Sequence, residues 1–379
     1  MLTKTEPVSL GPIELHEAKN ITAILSDQYG LFVRTGSITR FLEKTLSSRV
    51  YRAVLADGRA VVVKESFWYN DPGAKSATAG TALQEAFEVS ELLAKRGVPL
   101  PRVYPKARAL EYPQFVFKDE ATDSYFSVLD FCSGEHFSGR MEEFGSSGAA
   151  LGKFHREGRL LGHGRRETIL EHIPFEKPYE ESRTLWDNGL RETLLADHPC
   201  AFPEVCASFR ENISLIERIM ALVDTSEVNA SDRVSGIVHN DFHVNNGLYR
   251  ADGSFSCFLD IDQMSHAPLV WDIGNTLVSL VSNFITERSE SGDIELVVRE
   301  FLVGYRGEFA ISREELLLIT AAGLRWDLLR ILRSLRRHRF EDDRLSGLYG
   351  KLKIRLIPRF ERIPEIFAFI TPEWLEKNC

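Results

Sequence analysis

The chain has 379 residues, enough for two or three packed units, and its 44% hydrophobic and 27% charged content is that of a globular protein able to bury a substantial core. Its formal net charge of −9 argues against nonspecific nucleic-acid binding, which needs a basic surface to displace counterions from phosphates. No window approaches the roughly 18 apolar residues needed to cross a bilayer, and no basic stretch followed by an apolar run opens the sequence, so a cytoplasmic protein without a membrane partner is expected. Cys132, Cys200, Cys206, Cys257 and Cys379 are scattered without the short paired spacings of a zinc site or a disulfide scaffold, which implies free thiols in a reducing compartment.

In chain order, the first third reads as strands broken by turns, with one helix. Val50 to Leu55 and Ala60 to Lys64 are rich in β-branched residues and flank Ala56-Asp57-Gly58-Arg59, a hairpin signal. A polar Gly/Ala/Ser/Thr loop at 71–81 precedes a helical pattern from Ala82 to Arg96, which stops at Gly97 and is followed by Pro99 and Pro101. Phe115 to Lys118 and Tyr125 to Phe131 form a further pair of strands, ended by Cys132-Ser133-Gly134. Beyond them the pattern is mainly helical, interrupted between Ile237 and Leu259 by short strands around a polar loop. Ser312 with Glu315 forms a capping box at the head of a long helix running to about Arg339. The expected fold class is α+β: a small antiparallel β-sheet lobe over 1–132, ending in a hinge, and a larger helical lobe over 133–379.

Chemistry concentrates in Val238-His239-Asn240-Asp241-Phe242-His243-Val244-Asn245-Asn246 and in Phe258-Leu259-Asp260-Ile261-Asp262. Phosphoryl transfer asks a protein to orient a nucleophilic hydroxyl, hold magnesium and neutralise spreading phosphate charge. Asp241 suits the first task; Asn246 and Asp260 supply the hard oxygens that magnesium prefers. Taken singly, a His-x-Asp is a turn, Asp260 a strand-end group and Asp272 a helix cap. Their joint spacing points to a phosphotransferase.

His239-x-Asp241-x4-Asn246, with Asp260 fourteen residues further on and then Pro268 and Trp271-Asp272-Ile273-Gly274, resembles the motif set of the aminoglycoside phosphotransferase and choline kinase-like family over residues 40–280. The resemblance implies a two-lobed protein-kinase-like fold, ATP and Mg2+ as cofactors, Asp241 as the catalytic residue, and His239 and Asp272 as structural support for its loop. It also makes Lys64, which closes the run Val61-Val62-Val63, the strand lysine that meets the phosphates. Helical periodicity puts Glu85 on an apolar face with Ala82, Ala86, Val89 and Leu92, and Gln84, Glu88, Glu91 and Lys95 on a polar one. A carboxylate on an apolar face needs a partner, so Glu85 is assigned to Lys64. Where related folds carry a glycine-rich loop this chain has Thr45 to Tyr51 without glycine, leaving backbone amides or the Ser47 and Ser48 hydroxyls for the phosphates. Asn240 stands where the family usually has Gly, and Asn tolerates positive φ. By the same resemblance Val128 to Cys132, including Leu129 and Phe131, is the hinge whose backbone meets adenine.

Only eleven residues separate Asp260 from Asp272, too few for a protein kinase's activation segment, so the expected partner is a small-molecule hydroxyl acceptor. Residues 165–232, with 14 acidic against 7 basic residues, fit a cationic acceptor or simply solvated faces. Arg325, Trp326, Arg330, Arg333, Arg336 and Arg337 fit an anionic acceptor or a solvated basic face, and Arg325 and Trp326 faintly resemble a homoserine-kinase helix. His243 and Asp262 are further candidates for acceptor contact. A catalytically silent nucleotide-binding protein and an enzyme acting on a protein hydroxyl are the alternatives. Oligomeric state is left open.

Overall fold

The computed structural model describes residues 10–11, 13–41, 48–66, 76–107, 114–162, 183–184, 186–192, 210–226, 228, 233–287, 291–338, 362–365 and 367–378. They divide into two compact units: one holds the described residues up to Ser138 together with Asn245–Met264, the other those from Gly139 to Val244 and from Ser265 on. The sequence places the break at Cys132-Ser133-Gly134; the first unit runs six residues beyond Cys132, to Ser138, and also takes up the short strands around 245–264.

In the first unit β1 (Leu10–Gly11), β2 (Thr39–Phe41), β3 (Ser48–Val54), β4 (Ala60–Ser66), β5 (Phe117–Asp119) and β6 (Ser124–Asp130) build an antiparallel sheet in the order β1-β2-β3-β4-β6-β5. The β3–β4 hairpin turns where Asp57-Gly58 predicts: Gly58 has φ 89°, and the Leu55 amide donates to Arg59 O at 2.8 Å. Strand alternation gives the sheet two faces. Tyr51, Ala53, Val61, Val63, Phe126 and Val128 pack with Ile21, Ile24, Leu25 and Tyr29 of helix α1 (Leu15–Tyr29) into one core, while Val62 and Lys64 alternate to the other face. Helix α1 was not among the sequence-derived elements, although Ile21, Ile24, Leu25 and Tyr29 are spaced for one helical face. Gly30, at φ 64°, closes it by donating to Leu25 O and Ser26 O.

Helix α2 spans Ser76–Lys95 and so begins inside the expected polar loop. A reason lies in Gly80, where a Cβ would fall 2.7 Å from the Tyr125 ring: the glycine lets this turn lie flat on β6. Gln84, assigned to a polar face, is fully buried; it donates to Glu88 and accepts the Phe115 amide at 2.7 Å. Glu91 likewise takes the Val103 amide at 2.7 Å. Both polar side chains tie the helix to loops rather than facing water. Strand β7 (Glu135–His136) pairs with β9 (Gly247–Tyr249), which pairs with β10 (Phe255–Phe258).

The second unit is mainly helical: α3 (Met141–Gly162), α4 (Ile213–Thr225), α5 (Leu269–Glu287), α6 (Ser291–Glu308), α7 (Arg313–Leu316) and α8 (Ile319–His338), with β8 (Ser235–Val238) and β11 (Ser265–Pro268) paired as an antiparallel ribbon. Glycines set two of its helix crossings. A Cβ on Gly148 of α3 would fall 1.9 Å from Phe301 O of α6, and one on Gly304 of α6 would fall 2.1 Å from Gly145 O. A Cβ on Gly274 of α5 would meet Gly323 N of α8 at 2.6 Å. The long helix expected from Ser312 is split. Ser312 Oγ accepts the Glu315 amide at 3.2 Å, but the Glu315 carboxylate turns to the Val234 amide instead of completing the capping box, and α8 starts only at Ile319. Among the described residues no helix is long and apolar enough to cross a membrane.

Candidate active site

The first unit gathers one cluster of charge. Lys64 is directly opposite Val50 on β3 and Ser127 on β6, on the face turned away from the α1 core. Its ammonium donates to Asp260 Oδ1 and, at 2.7 Å, to Asp262 Oδ2. Burial alone would lower the lysine's pKa; the two carboxylates more than offset it and hold it above the ordinary value. Asp262 is pushed up to about 6, chiefly by burial, with Lys64 opposing and the Asp260 charge adding to the rise. Asp260 sits at φ 57°, ψ 50°, the left-handed region that few non-glycine residues enter. Strand β10 delivers it there, and the ribbon also fixes Asn246: Gly247 pairs with Phe258, and the Leu259 amide donates to Asn246 O at 2.9 Å. The residues flanking the ribbon's end are therefore Asn246 on one strand and Asp260 on the other.

This donor set suits a hard divalent cation. Asn246 and Asp260 offer amide and carboxylate oxygens, and Asp262 Oδ1 is buried without a hydrogen-bond partner, an acceptor that a cation would satisfy.

The assignment of Glu85 to Lys64 is corrected by this geometry. Glu85 is buried on α2 as its periodicity requires, and α2 packs on the 3₁₀ turn Ile261–Gln263 that carries Asp262, but the lysine takes Asp260 and Asp262. Two carboxylates one residue apart attract one ammonium more strongly than a single one does. Asp262, expected to face the acceptor, is instead a partner of Lys64. Ser48 opens β3 opposite Ser66 and is buried; Ser47 lies outside the described residues. Leu129 is paired with Val62 on one side and Val103 on the other, the Asp130 amide donates to Arg102 O, and the Phe131 amide donates to Ala60 O at 3.2 Å. The Leu129 side chain lies on the same sheet face as Val62, opposite which it pairs.

The second unit carries the Asp241 loop. It leaves β8 at Val238, and its first two amides converge on one buried carboxylate: the His239 amide donates to Asp272 Oδ2 at 2.6 Å and the Asn240 amide to Asp272 Oδ1 at 2.8 Å. Asn240 adopts φ 66°, the turn geometry for which the sequence substitutes Asn for Gly, and its side chain donates to Ser265 Oγ at 2.5 Å. His239 is fully buried; its Nδ1 accepts the Asp241 amide at 3.3 Å. Thr276 Oγ1 donates to Phe242 O at 3.2 Å and the Asn275 side-chain Nδ2 to Asn240 O at 3.4 Å. Asp241, 8% exposed, ends this braced loop, with His243 Nε2 3.7 Å from its Oδ2.

Two residues absent from the sequence-based site join this network. His155 on α3, fully buried, places Nε2 3.2 Å from Asp272 Oδ2 and Nδ1 2.7 Å from the hydroxyl of Tyr305 on α6. Neither belongs to a local motif; only the α3–α6 crossing brings them together. Arg325 is 1% exposed and lies 3.6 Å from the centre of the Trp271 ring, and Trp326 is 7% exposed. The buried cation stacks on indole, so it is not part of a solvated basic face. The side chains of Arg330, Arg333, Arg336 and Arg337 lie outside the described residues. So does most of the acidic 165–232 stretch, in which Asp187 and Asp224 pair with Arg183 and Glu217 with Arg191.

An antiparallel sheet carrying a strand lysine, joined in one chain to a helical unit carrying a braced His-x-Asp loop, defines the protein-kinase-like phosphotransferase fold. A model of the phosphotransferase enzyme family matches residues 38–310; the chain belongs to that family. Among solved structures it is similar to a spectinomycin phosphotransferase in complex with ADP and spectinomycin (TM-score 0.64, 13% identity, 95% of this chain and 100% of that one). It is also similar to an amicoumacin kinase in complex with AMP-PNP, Ca2+ and Ami (TM-score 0.61, 16% identity, 96% and 97%). A third is a choline/ethanolamine kinase family protein from Mesorhizobium loti (TM-score 0.56, 19% identity, 94% and 96%). No curated protein sequence matches the chain. The family is one of phosphotransferases, and these neighbours share its fold.

Proposed function

We propose that the chain transfers the γ-phosphate of ATP to a hydroxyl of a small molecule, with Mg2+ as its metal and the cytoplasm as its setting. The observation that carries this reading is the cluster of Lys64, Asp260 and Asp262 at the end of the ribbon that also fixes Asn246. Residues 64 and 260 lie 196 positions apart, and a fold that joins a buried ammonium to two carboxylates has assembled the charges that nucleotide phosphates and their metal require. When bound, magnesium neutralises charge on the phosphates and orients them; Asn246 and Asp260 would hold it through oxygen, with Asp262 alongside. Lys64 binds phosphate oxygen through an ammonium whose raised pKa keeps it charged at neutral pH. Val62 and Leu129, on the same sheet face as Lys64, supply an apolar bed for the base.

Asp241 orients the acceptor hydroxyl and takes its proton at a carboxylate oxygen. Its loop amides are already fixed on Asp272, so little reorganisation accompanies the step. The acceptors proposed are amino alcohols, amino sugars including aminoglycosides, and homoserine-like amino acids, with His243, 3.7 Å from Asp241, beside the acceptor. Among the described residues Asp187, Glu217 and Asp224 have arginine partners, and Arg325 stacks on Trp271.

The test is ADP release from magnesium and ATP across those acceptor classes, with Asp241→Asn beside the wild type. The expected result is release stimulated by one class and a fall of about 10²–10⁴-fold in the variant, with ATP binding retained. Near-normal turnover in Asp241→Asn would overturn the role given to this carboxylate.

A further inference from the structure

We propose that His155 and Tyr305 are positioning residues for phosphoryl transfer, holding the Asp272 carboxylate in the one orientation that fixes the loop ahead of Asp241. The proposal rests on the phosphotransferase reading above and extends it to two residues on other helices.

Asp272 must accept from two successive amides on different oxygens, His239 on Oδ2 and Asn240 on Oδ1. A carboxylate rotating about its own side-chain bonds would lose one as it gained the other. His155 Nε2, 3.2 Å from Oδ2, adds a third contact from a separate helix. The far side of the imidazole is equally occupied, with Nδ1 2.7 Å from the Tyr305 hydroxyl. Hydrogen counting gives this chain a direction: Tyr305 O–H donates to Nδ1, so Nε2 carries the hydrogen and donates to Asp272. Burial, with the charges of Asp272 and Glu315, holds the Tyr305 pKa well above its ordinary value, consistent with a phenol that stays a donor. His155, Asp272 and Tyr305 are each at most 1% exposed, so water cannot replace any link.

The helices themselves hold the pair in place. His155 follows Gly148 and Gly152 on α3, and Tyr305 follows Gly304 on α6. A Cβ at those three positions would lie 1.9 Å from Phe301 O, 2.5 Å from Tyr305 O and 2.1 Å from Gly145 O respectively. The two backbones are in direct contact, so neither side chain can shift without its helix. The network therefore ends on amides one and two residues before Asp241, where a displacement of a fraction of an ångström is felt in rate.

The experiment compares Tyr305→Phe, His155→Ala and His155→Gln in the full chain. It measures kcat, the dissociation constant for magnesium-ATP, and hydrogen exchange at the His239 and Asn240 amides. Tyr305→Phe keeps the ring and should lose about tenfold in kcat, the factor of one modest hydrogen bond. His155→Ala should lose about a hundredfold and exchange both amides faster. His155→Gln, which restores a nitrogen donor toward Asp272, should recover most of the exchange protection and bring kcat to within about tenfold of wild type. Magnesium-ATP affinity should be unchanged throughout. Unchanged exchange, or His155→Gln no better than His155→Ala, overturns the positioning role while leaving the phosphotransferase reading intact. A wild type with protected amides that turns over none of the acceptors overturns the phosphotransferase reading, and with it the catalytic half of this proposal.

Discussion

Replacing Asp272 tests how much the second unit depends on one buried carboxylate. In Asp272→Ala the His239 and Asn240 amides, which donate at 2.6 and 2.8 Å, are left in an interior where His239 is fully buried and Asn240 is 4% exposed. Each unsatisfied buried donor costs about 1–3 kcal/mol, so the two together predict a loss of about 2–6 kcal/mol, before the orphaned Nε2 of His155 is counted. Asp272→Asn keeps one oxygen acceptor but turns an NH2 group toward the other donor, and should lose less, about 1–3 kcal/mol. Against a typical domain stability of about 5–15 kcal/mol, the alanine variant stands near the threshold of folding. Urea unfolding followed by tryptophan fluorescence reads the difference, since Trp271 adjoins the site and its indole nitrogen donates to Val228 O at 3.0 Å. A loss below about 1 kcal/mol in Asp272→Ala, or an asparagine variant weaker than the alanine, would refute the reasoning that these amides depend on the Asp272 carboxylate.

Asp260→Ala should weaken metal-dependent nucleotide binding at least tenfold while leaving metal-free binding nearly unchanged, as titration calorimetry with and without magnesium would show; equal losses in both would remove Asp260 from metal coordination. Gly148→Ala would force a Cβ to within 1.9 Å of Phe301 O, a backbone atom that cannot swing aside, so a loss of about 1–3 kcal/mol or more is expected. Gly307→Ala on α6, whose Cβ meets nothing within 4 Å, should be neutral or stabilising by up to about 1 kcal/mol; equal thermal shifts in the two variants would contradict the crossing geometry. The Cys132 thiol is held below its ordinary pKa by the hydrogen bond from Cys257, against burial, whereas Cys257 is driven up by that same bond and by burial. Iodoacetamide at neutral pH should therefore label Cys132 before Cys257. Cys257→Ala removes the bond and returns the Cys132 pKa upward, so labelling at neutral pH should slow; labelling of Cys257 first, read by peptide mass mapping, would reverse the assignment.

What the sequence makes legible here is whatever the chain writes over short distances. Asp57-Gly58 marks a hairpin because only two neighbouring residues decide the turn, and Gly97 at φ 81° ends α2 for the same reason. The Asp241 and Asp260 segments stand out because each packs its polar groups within a few positions. Helix α1 is legible in the spacing of Ile21, Ile24, Leu25 and Tyr29. Other features depend on partners that no local pattern names. Periodicity placed Glu85 on the buried face of α2, where it is, but could not say which cation Lys64 would meet; that was settled by a turn 196 residues away that brings Asp260 and Asp262 to one ammonium. Gln84 looked like a surface residue because its type is polar, yet it is buried to bind the Phe115 amide. Arg325 looked like part of a basic face because arginines recur near it, yet it stacks on an indole from another helix. The same blindness hid His155 and Tyr305, 150 positions apart. The clue that was present lay in Gly148 and Gly152 on α3 and Gly304 on α6, inside helices where glycine costs about 1 kcal/mol each relative to alanine; they are explained by a neighbour close enough to forbid a side chain. That neighbour is what carries the His155–Tyr305 pair to the carboxylate beneath the Asp241 loop.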